Sequence, residues 1–338
     1  MNALRHAGQV ALTLLGVSAV VFVLMRVVPG DPVAMMIPPG ASPADVQRLY
    51  AFYGLDQPIL TQYGLWLAAA LHGEFGTSIS LKQPVLDLVL ARLPATLELG
   101  STALALALLG GGAAGVLAAA TQGRWLAAWI DGAAALVQAV PDFLWGLVFI
   151  LLFGVLFTWL PISGRVDPML SFQAHSGFLF FESLLRGRWD VTASVFSHAL
   201  APALALGLPV AAMVARVLKA SMLEALAADY VLLARLKGLP AVRVLLAEAL
   251  PNALTPTLQL SGVQFAFLLG GTVLIERLFS YPGIGSLAIN AVVARDLPLI
   301  QAIVLTFAVL FIVINLLVDA VTLWLNPRLR AAPRLSLR

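Results

Sequence analysis

Charge is what this sequence has least of. Acidic and basic residues fill only 11% of its 338 positions, where an ordinary soluble domain has about a quarter, so a water-solvated globular fold is excluded. Cysteine is absent altogether, and with it go disulfides, thiol nucleophiles and Cys-ligated metals. The four histidines (His6, His72, His175 and His198) have no metal-ligand spacing, and none is read as a metal site. The net charge of +3 is dispersed, with no Lys/Arg run and no basic–aromatic interleaving, which excludes a nucleic-acid groove. No Gly-x4-Gly-Lys-Ser/Thr phosphate loop occurs anywhere, so the glycines at 110, 111, 112 and 115 are read as small residues for close helix packing in lipid.

What is there is apolar: 61% of the chain. Six runs have the length of a membrane helix, at about Val10–Val28, Leu99–Ala120, Ile130–Trp159, Val195–Val217, Leu254–Ile275 and Leu299–Leu325. The first follows Arg5 and His6 like a signal peptide. It is too long for one, however, and Pro29-Gly30-Asp31-Pro32 follows it in place of a small-x-small cleavage site, so it is read as an uncleaved span. Residues 31–95 are the long polar insertion. There Ser42-Pro43-Ala44-Asp45 opens one helix and Gly54 closes it, and Asp56-Gln57-Pro58 opens another that ends at His72-Gly73. This insertion reads as a small external helical layer, too short to bury much core of its own. Residues 160–194 form a second external segment.

Several polar residues interrupt the apolar runs. Asp142, after Pro141 in a run long enough to kink or tilt, is either a functional membrane carboxylate or the cap of a half-helix. Gln259 and Gln264 should face the protein interior, as glue between helices or as a polar lining of a path. Asp319 is expected to pair with a basic neighbour near the inner end of the last run.

The largest interruption runs from Arg216 to Asn252. Its first half has helical pattern, with Glu224 and Asp229 toward its start and Arg235 and Lys237 in its last turn, as the helix dipole prefers. Gly238 sits where a left-handed cap would, and Pro240 falls at the first position of a second, short helix. In that helix Val242, Leu245, Leu246, Ala249 and Leu250 form an amphipathic stripe. Helix, sharp turn and short helix between two apolar spans make a docking element, or an amphipathic hairpin lying on the membrane surface.

The string Glu224-Ala225…Asp229-Tyr230…Ala234-Arg235-x-Lys237-Gly238-Leu239…Asn252-Ala253 resembles the EAA coupling loop of ABC importer permeases, in particular the B-type permease of dipeptide and oligopeptide importers. The resemblance covers nearly the whole chain. It includes Pro29-Gly30-Asp31-Pro32, Gly54-Leu55-Asp56-Gln57-Pro58, Arg92-Leu93-Pro94-Ala95-Thr96-Leu97-Glu98, Pro161-x-Ser163-Gly164-Arg165 and Asn326-Pro327-Arg328. It also includes Glu276-x-x-Phe279-x-x-Pro282-Gly283-x-Gly285…Arg295-Asp296-x-Pro298. Departures are Leu232-Leu233, where members commonly have polar residues, and Glu248 and Pro251, where they often have His and Arg.

The resemblance implies an all-α membrane protein of six transmembrane helices, the type I ABC importer permease fold, with the external helical insertion after helix one. Residues 1–30 would be the first helix with a cytoplasmic N-terminus, 31–95 the external insertion, 95–325 the permease domain with its coupling loop at 216–252, and 326–338 a cytoplasmic tail. Glu224, Ala225, Asp229, Tyr230, Ala234, Arg235, Lys237 and Gly238 would form the joint to an ATPase. Phe279, Pro282, Gly283, Gly285, Arg295 and Asp296, with Asp142 and Gln264, would be candidates for the path or its external gate. The expected function is translocation of dipeptides or short peptides across a bacterial cytoplasmic (inner) membrane. Glutathione, a metal chelate or another small solute remain as alternative cargoes.

This chain would be no enzyme and would carry no cofactor. ATP and Mg would be bound by two ATP-binding cassette ATPase subunits. A second homologous permease, forming a heterodimer, and an external substrate-binding protein would be the other partners, with lipid around the chain and no nucleic acid. The short basic segments at both termini, at 121–130 and at 216–252 place that side in the cytoplasm. Two rival classes are an ion-coupled secondary transporter using Asp142 and Asp319, and an intramembrane serine protease using Ser163 and His198.

Overall fold

The computed structural model describes residues 2–27, 42–52 and 56–325. Among the described residues there is no β-strand, only an isolated bridge between Thr77 and Pro84. The chain begins with α1 (Asn2–Val27), α2 (Pro43–Phe52) and α3 (Ile59–Leu71). Then come α4 (Val85–Ala120), α5 (Trp125–Ala139) and α6 (Asp142–Phe149), the last running on into a π-helical turn at Ile150–Leu156. Short α7 (Leu179–Leu185) precedes the long α8 (Trp189–Leu226) and α9 (Asp229–Leu236). The brief α10 (Ala241–Arg243) passes through a second π turn, Val244–Ala249, into α11 (Leu250–Leu278). Finally, α12 (Ile284–Val293) and α13 (Leu297–Leu325) close the described chain.

Among the described residues, four helical stretches are long and apolar enough to cross a membrane: α4, α8, Ala241–Leu278 and the Leu297–Val318 part of α13. The pair α5 and α6 makes a fifth if its two limbs count as one span, and α1 adds the shorter apolar stretch Gly8–Val23.

Three helix boundaries differ from those expected, each for a physical reason. The helix anticipated from about Leu99 starts at Val85. Its first turns bury Val85 and Val89 while exposing Asp87 and Arg92, an amphipathic pattern that hydropathy alone reads as loop. The third run is two helices bent by 101°. Val140 is extended (φ −103°, ψ 127°), the conformation that a following proline imposes, so the helix stops there and restarts at Asp142. The second helix of the 216–252 segment is not short, because it continues unbroken to Leu278. Its π turn, Val244–Ala249, ends two residues before Pro251, and the wider winding makes room for a residue that lacks an N–H and crowds the preceding turn. That winding also shifts the inward face: Val244 and Ala249 are buried, whereas Val242 and Leu246 of the expected stripe are exposed.

The chain divides into two compact units. In the unit of residues 1–94 and 283–312, the core joins Val85 and Val89 to Ile284, Leu287, Leu299 and Ile303. In the unit of residues 95–282 and 313–338, α8 is central and α5, α6, α7 and α11 pack on it. Helices α4 and α8 meet through small residues. A Cβ on Gly115 would lie 2.8 Å from the Ala215 carbonyl oxygen, and one on Gly207 would lie 2.6 Å from that of Ala103. Gly111 is held against Ala211 more tightly still, while Gly110 and Gly112 face open space. Close backbone approach of this kind is how helices associate where lipid is the solvent.

Candidate functional site: the Gly238 turn and the buried polar clusters

Helix α8 stops at Leu226, Ala228 is extended (ψ 150°), and α9 starts at Asp229. Glu224 therefore lies in the last turn of α8 and does not open the following helix as expected. There it is exposed at a helix C-terminus, where the macrodipole disfavours a carboxylate by about 0.3–1 kcal/mol. Local helix stability does not account for Glu224. Asp229 stands in the first turn of α9 and Arg235 in its last, the favourable order.

The end of α9 is a Schellman turn. Gly238 N–H donates to the Arg235 carbonyl (2.9 Å) and Leu239 N–H to that of Ala234 (3.3 Å), with Gly238 at φ +76°. Pro240 is the N-cap residue of the next helix, one position earlier than anticipated. Val231, Ala234 and Val244 are buried together, with Leu226 and Leu239 packed on them, and pin α9 to its neighbours. Its outer face shows Tyr230, Leu232, Leu233 and Leu236, exposed by 41–77%, beside exposed Asp229, Arg235 and Lys237. Ala225, in the last turn of α8, is half-buried and packs against the cluster of Leu218, Met222 and Ala249. The residues singled out at this joint thus fall on one compact turn: buried Ala234 and half-buried Ala225 hold it, and the charged residues with Tyr230 and Gly238 surround its exposed side.

At the far end of the same unit the sequence hid a buried ion pair. Arg165 Nη2 donates to Glu98 Oε2 (2.7 Å) and to the Gly177 carbonyl (2.8 Å), and Glu98 Oε1 accepts from Phe180 N–H (2.9 Å). The two side chains are only 9% and 4% exposed. Nearby backbone is tied in by Gly164 N–H donating to the Phe279 carbonyl (3.1 Å). Thr96 Oγ1 donates to buried Glu276 (2.7 Å). Tyr281 is fully buried, and burial pushes its hydroxyl well above the usual phenol value. That hydroxyl and Arg165 Nε find no hydrogen-bond partner among the described residues. Phe279 is a core side chain here, packed with Ile275 and Tyr281, and Pro282 is half-buried. The signal that could have revealed this cluster was two glutamates and an arginine in apolar surroundings.

In the other unit, Asp296 caps the start of α13, accepting weakly from Leu299 N–H (3.4 Å). It also gathers the Ser78 hydroxyl (2.5 Å) and the Ser80 amide (2.9 Å) and hydroxyl (2.7 Å). Burial alone would raise its carboxyl, but these donors outweigh burial and hold it below the usual aspartate range. Gly283 and Gly285 are buried, while Arg295 is exposed in the left-handed region (φ +52°).

Asp142 accepts from Phe143 N–H (2.8 Å) in the first turn of α6. Its Oδ2 lies against Gly271, 3.1 Å from where a Cβ there would stand, a tight contact. Gln264 Nε2 donates to the Met213 sulfur (3.0 Å), a link between α11 and α8, whereas Gln259 is exposed. The Asp319 side chain lies outside the described residues. His198 Nδ1 is 2.7 Å from the Ser194 carbonyl of its own helix, so it bonds locally. Among the described residues no His/Cys/Asp/Glu group could hold a metal.

A family model described as "Binding-protein-dependent transport system inner membrane component" matches residues 111–331, and its N-terminal companion matches residues 3–100. The chain belongs to this family. The permease is thus a multi-pass inner-membrane protein of the type I permease fold. It is 37% identical over 331 residues to the dipeptide transport system permease DppB of Escherichia coli K12, covering 97% of this chain and 98% of the relative. Identity is also 37% to the probable D,D-dipeptide transport system permease DdpB of the same organism, covering 94% of each chain. The di/tripeptide transport system permease DppB of Pseudomonas aeruginosa UCBPP-PA14 is 37% identical as well, over 96% of this chain and 97% of the relative.

Proposed function

We propose that the permease forms, with a second homologous permease, the membrane path of an ATP-driven, binding-protein-dependent importer of dipeptides or short peptides. The observation that carries this reading is the α8–α9 turn: a short helix, capped by Gly238, that offers apolar and charged side chains to a partner. The near-full-length likeness to permeases named for dipeptides supports the cargo. ATP and Mg would bind two ATPase subunits, each gripping one coupling turn, and this chain would hold no cofactor and hydrolyse nothing. Nucleotide-driven closure of the ATPases would shift the α8–α9 joint, and the membrane helices would pass between inward- and outward-open states. An external binding protein would deliver the peptide. Asp142 and Gln264 are candidates for the path, while Phe279, Pro282, Gly283, Gly285, Arg295 and Asp296 are candidates for shaping its external side. Arg124, Arg216, Lys219, Arg235, Lys237 and Arg243 in short segments favour a cytoplasmic location for the turn.

The test is purification of the tagged permease from its native membrane in mild detergent, with the co-purifying masses identified. A second permease and ATPases with a phosphate-loop motif are the expected result. Recovery of the chain alone, in a preparation that still folds, overturns the importer reading.

A further inference from the structure

The insertion after α1 reads in sequence as an external layer, and α3 (Ile59–Leu71) falls within it. Its packing says otherwise. Tyr63 of α3 shares a hydrogen bond with the Ser18 hydroxyl (2.8 Å) and lies 3.3 Å from the Leu15 carbonyl. Its ring meets Phe22 edge-on (5.4 Å between centroids), and Trp66 meets Phe22 at 5.8 Å. Leu15, Ser18 and Phe22 all belong to the apolar stretch Gly8–Val23 of α1. At 1.5 Å per residue, Ser18 lies about 12 Å before Arg26, toward the middle of the span. A helix standing clear of the membrane could not reach that level with a tyrosine.

The surface of α3 agrees with its position. A helix of an external layer would turn a polar face to water. Helix α3 carries no charged residue from end to end. The face it turns away from α1 is Leu60, Thr61, Gly64, Leu65, Ala68 and Leu71, all exposed, with Leu60 at 84%, Leu65 at 60% and Leu71 at 79%. This apolar surface continues onto α1, where Leu12, Val20 and Val23 are also exposed.

We infer that α3 is a membrane-embedded helix. It is too short to span, lies against α1 within one leaflet, and its Leu60–Leu65–Leu71 face is covered by lipid acyl chains. That the leaflet is the outer one rests on the orientation proposed above; the embedding rests on α1 alone.

The natural absence of cysteine permits a direct test in the full-length protein in membranes. Single variants Leu65→Cys and Leu71→Cys are compared with Glu74→Cys, just past the helix. A membrane-impermeant maleimide, supplied to both faces, should label Leu65→Cys about tenfold or more slowly than Glu74→Cys, because an apolar surrounding disfavours the reactive thiolate. A nitroxide on the same cysteine then identifies the cover. Strong relaxation by oxygen and weak relaxation by a water-soluble nickel chelate is the result expected for lipid. Strong relaxation by the chelate places α3 in water, and weak relaxation by both places it under a protein partner; either overturns the inference. Because both faces receive reagent, an error in the proposed orientation would leave this result unchanged.

Discussion

At the scale of single residues, the Glu98–Arg165 pair is the most consequential interaction that the sequence concealed. The partners are 67 positions apart, and nothing local announces a pairing that only the fold creates. Both side chains are nearly inaccessible, so the value of the pair lies less in its attraction than in the cost of leaving one charge alone. Arg165→Met should therefore destabilise the protein by about 3–5 kcal/mol, and Glu98→Leu by a similar amount. The double variant should recover part of that loss, because no isolated buried charge remains. Thermal unfolding of the four species in detergent measures the coupling, and strictly additive losses would show that the pair acts as two independent groups. Gly238 was legible by contrast, because a glycine after a basic last turn and before Leu-Pro signals its left-handed cap within four residues.

The helices themselves show what apolar pattern can and cannot reveal. Long uniform runs such as α8 and α13 are evident from composition, and of the four glycines read for close packing in α4, Gly111 and Gly115 pack on α8 while Gly110 and Gly112 do not. What pattern missed were places where winding or a proline changes the phase. These are the restart at Asp142, the π turn before Pro251, and the early amphipathic turns of α4. The 216–252 segment illustrates both outcomes, since its Gly238 turn is legible in the sequence but the break that leaves Glu224 on α8 is not. Its geometry makes a prediction with an internal control. Gly238 has open space around it, so a side chain there meets only the backbone penalty of the left-handed conformation, about 1–2 kcal/mol. Gly238→Val should abolish peptide uptake while the protein remains in the membrane. Gly238→Asn, whose side chain tolerates that conformation, should retain much of the uptake. Glu224→Lys, which leaves the turn intact and reverses an exposed charge, should also abolish uptake. Normal uptake in both Gly238→Val and Glu224→Lys would remove the coupling role from this turn.

For the whole molecule, the packing of α4 on α8 decides how the bent α5–α6 pair must run. The contacts pair Ala103 with Gly207, Gly111 with Ala211, and Gly115 with Ala215. Residue numbers rise together along both helices, so α4 and α8 are parallel and cross the membrane in the same direction. A chain that leaves the end of one and enters the start of the other has to return across the bilayer in between. Among the described residues the only apolar helical stretch there long enough is Trp125–Leu156, broken by 101° at Pro141. A re-entrant loop would return the chain to the side it left and force α8 to run antiparallel to α4, contrary to the contacts. The pair therefore makes one crossing, and Lys219 bonded to Asp131 (2.5 Å) ties the final turns of α8 to the first limb of that crossing. Counting the shorter apolar stretch of α1 as a span beside α4, α8, the helix from Ala241 and α13, we propose six crossings, an even count that would bring both ends of the chain out on one side. Reporters fused separately to the N- and C-termini should both be active in the cytoplasm and silent outside. Opposite locations for the two ends would mean an odd number of crossings, and the apolar stretch of α1 would be the first to lose its place as a span.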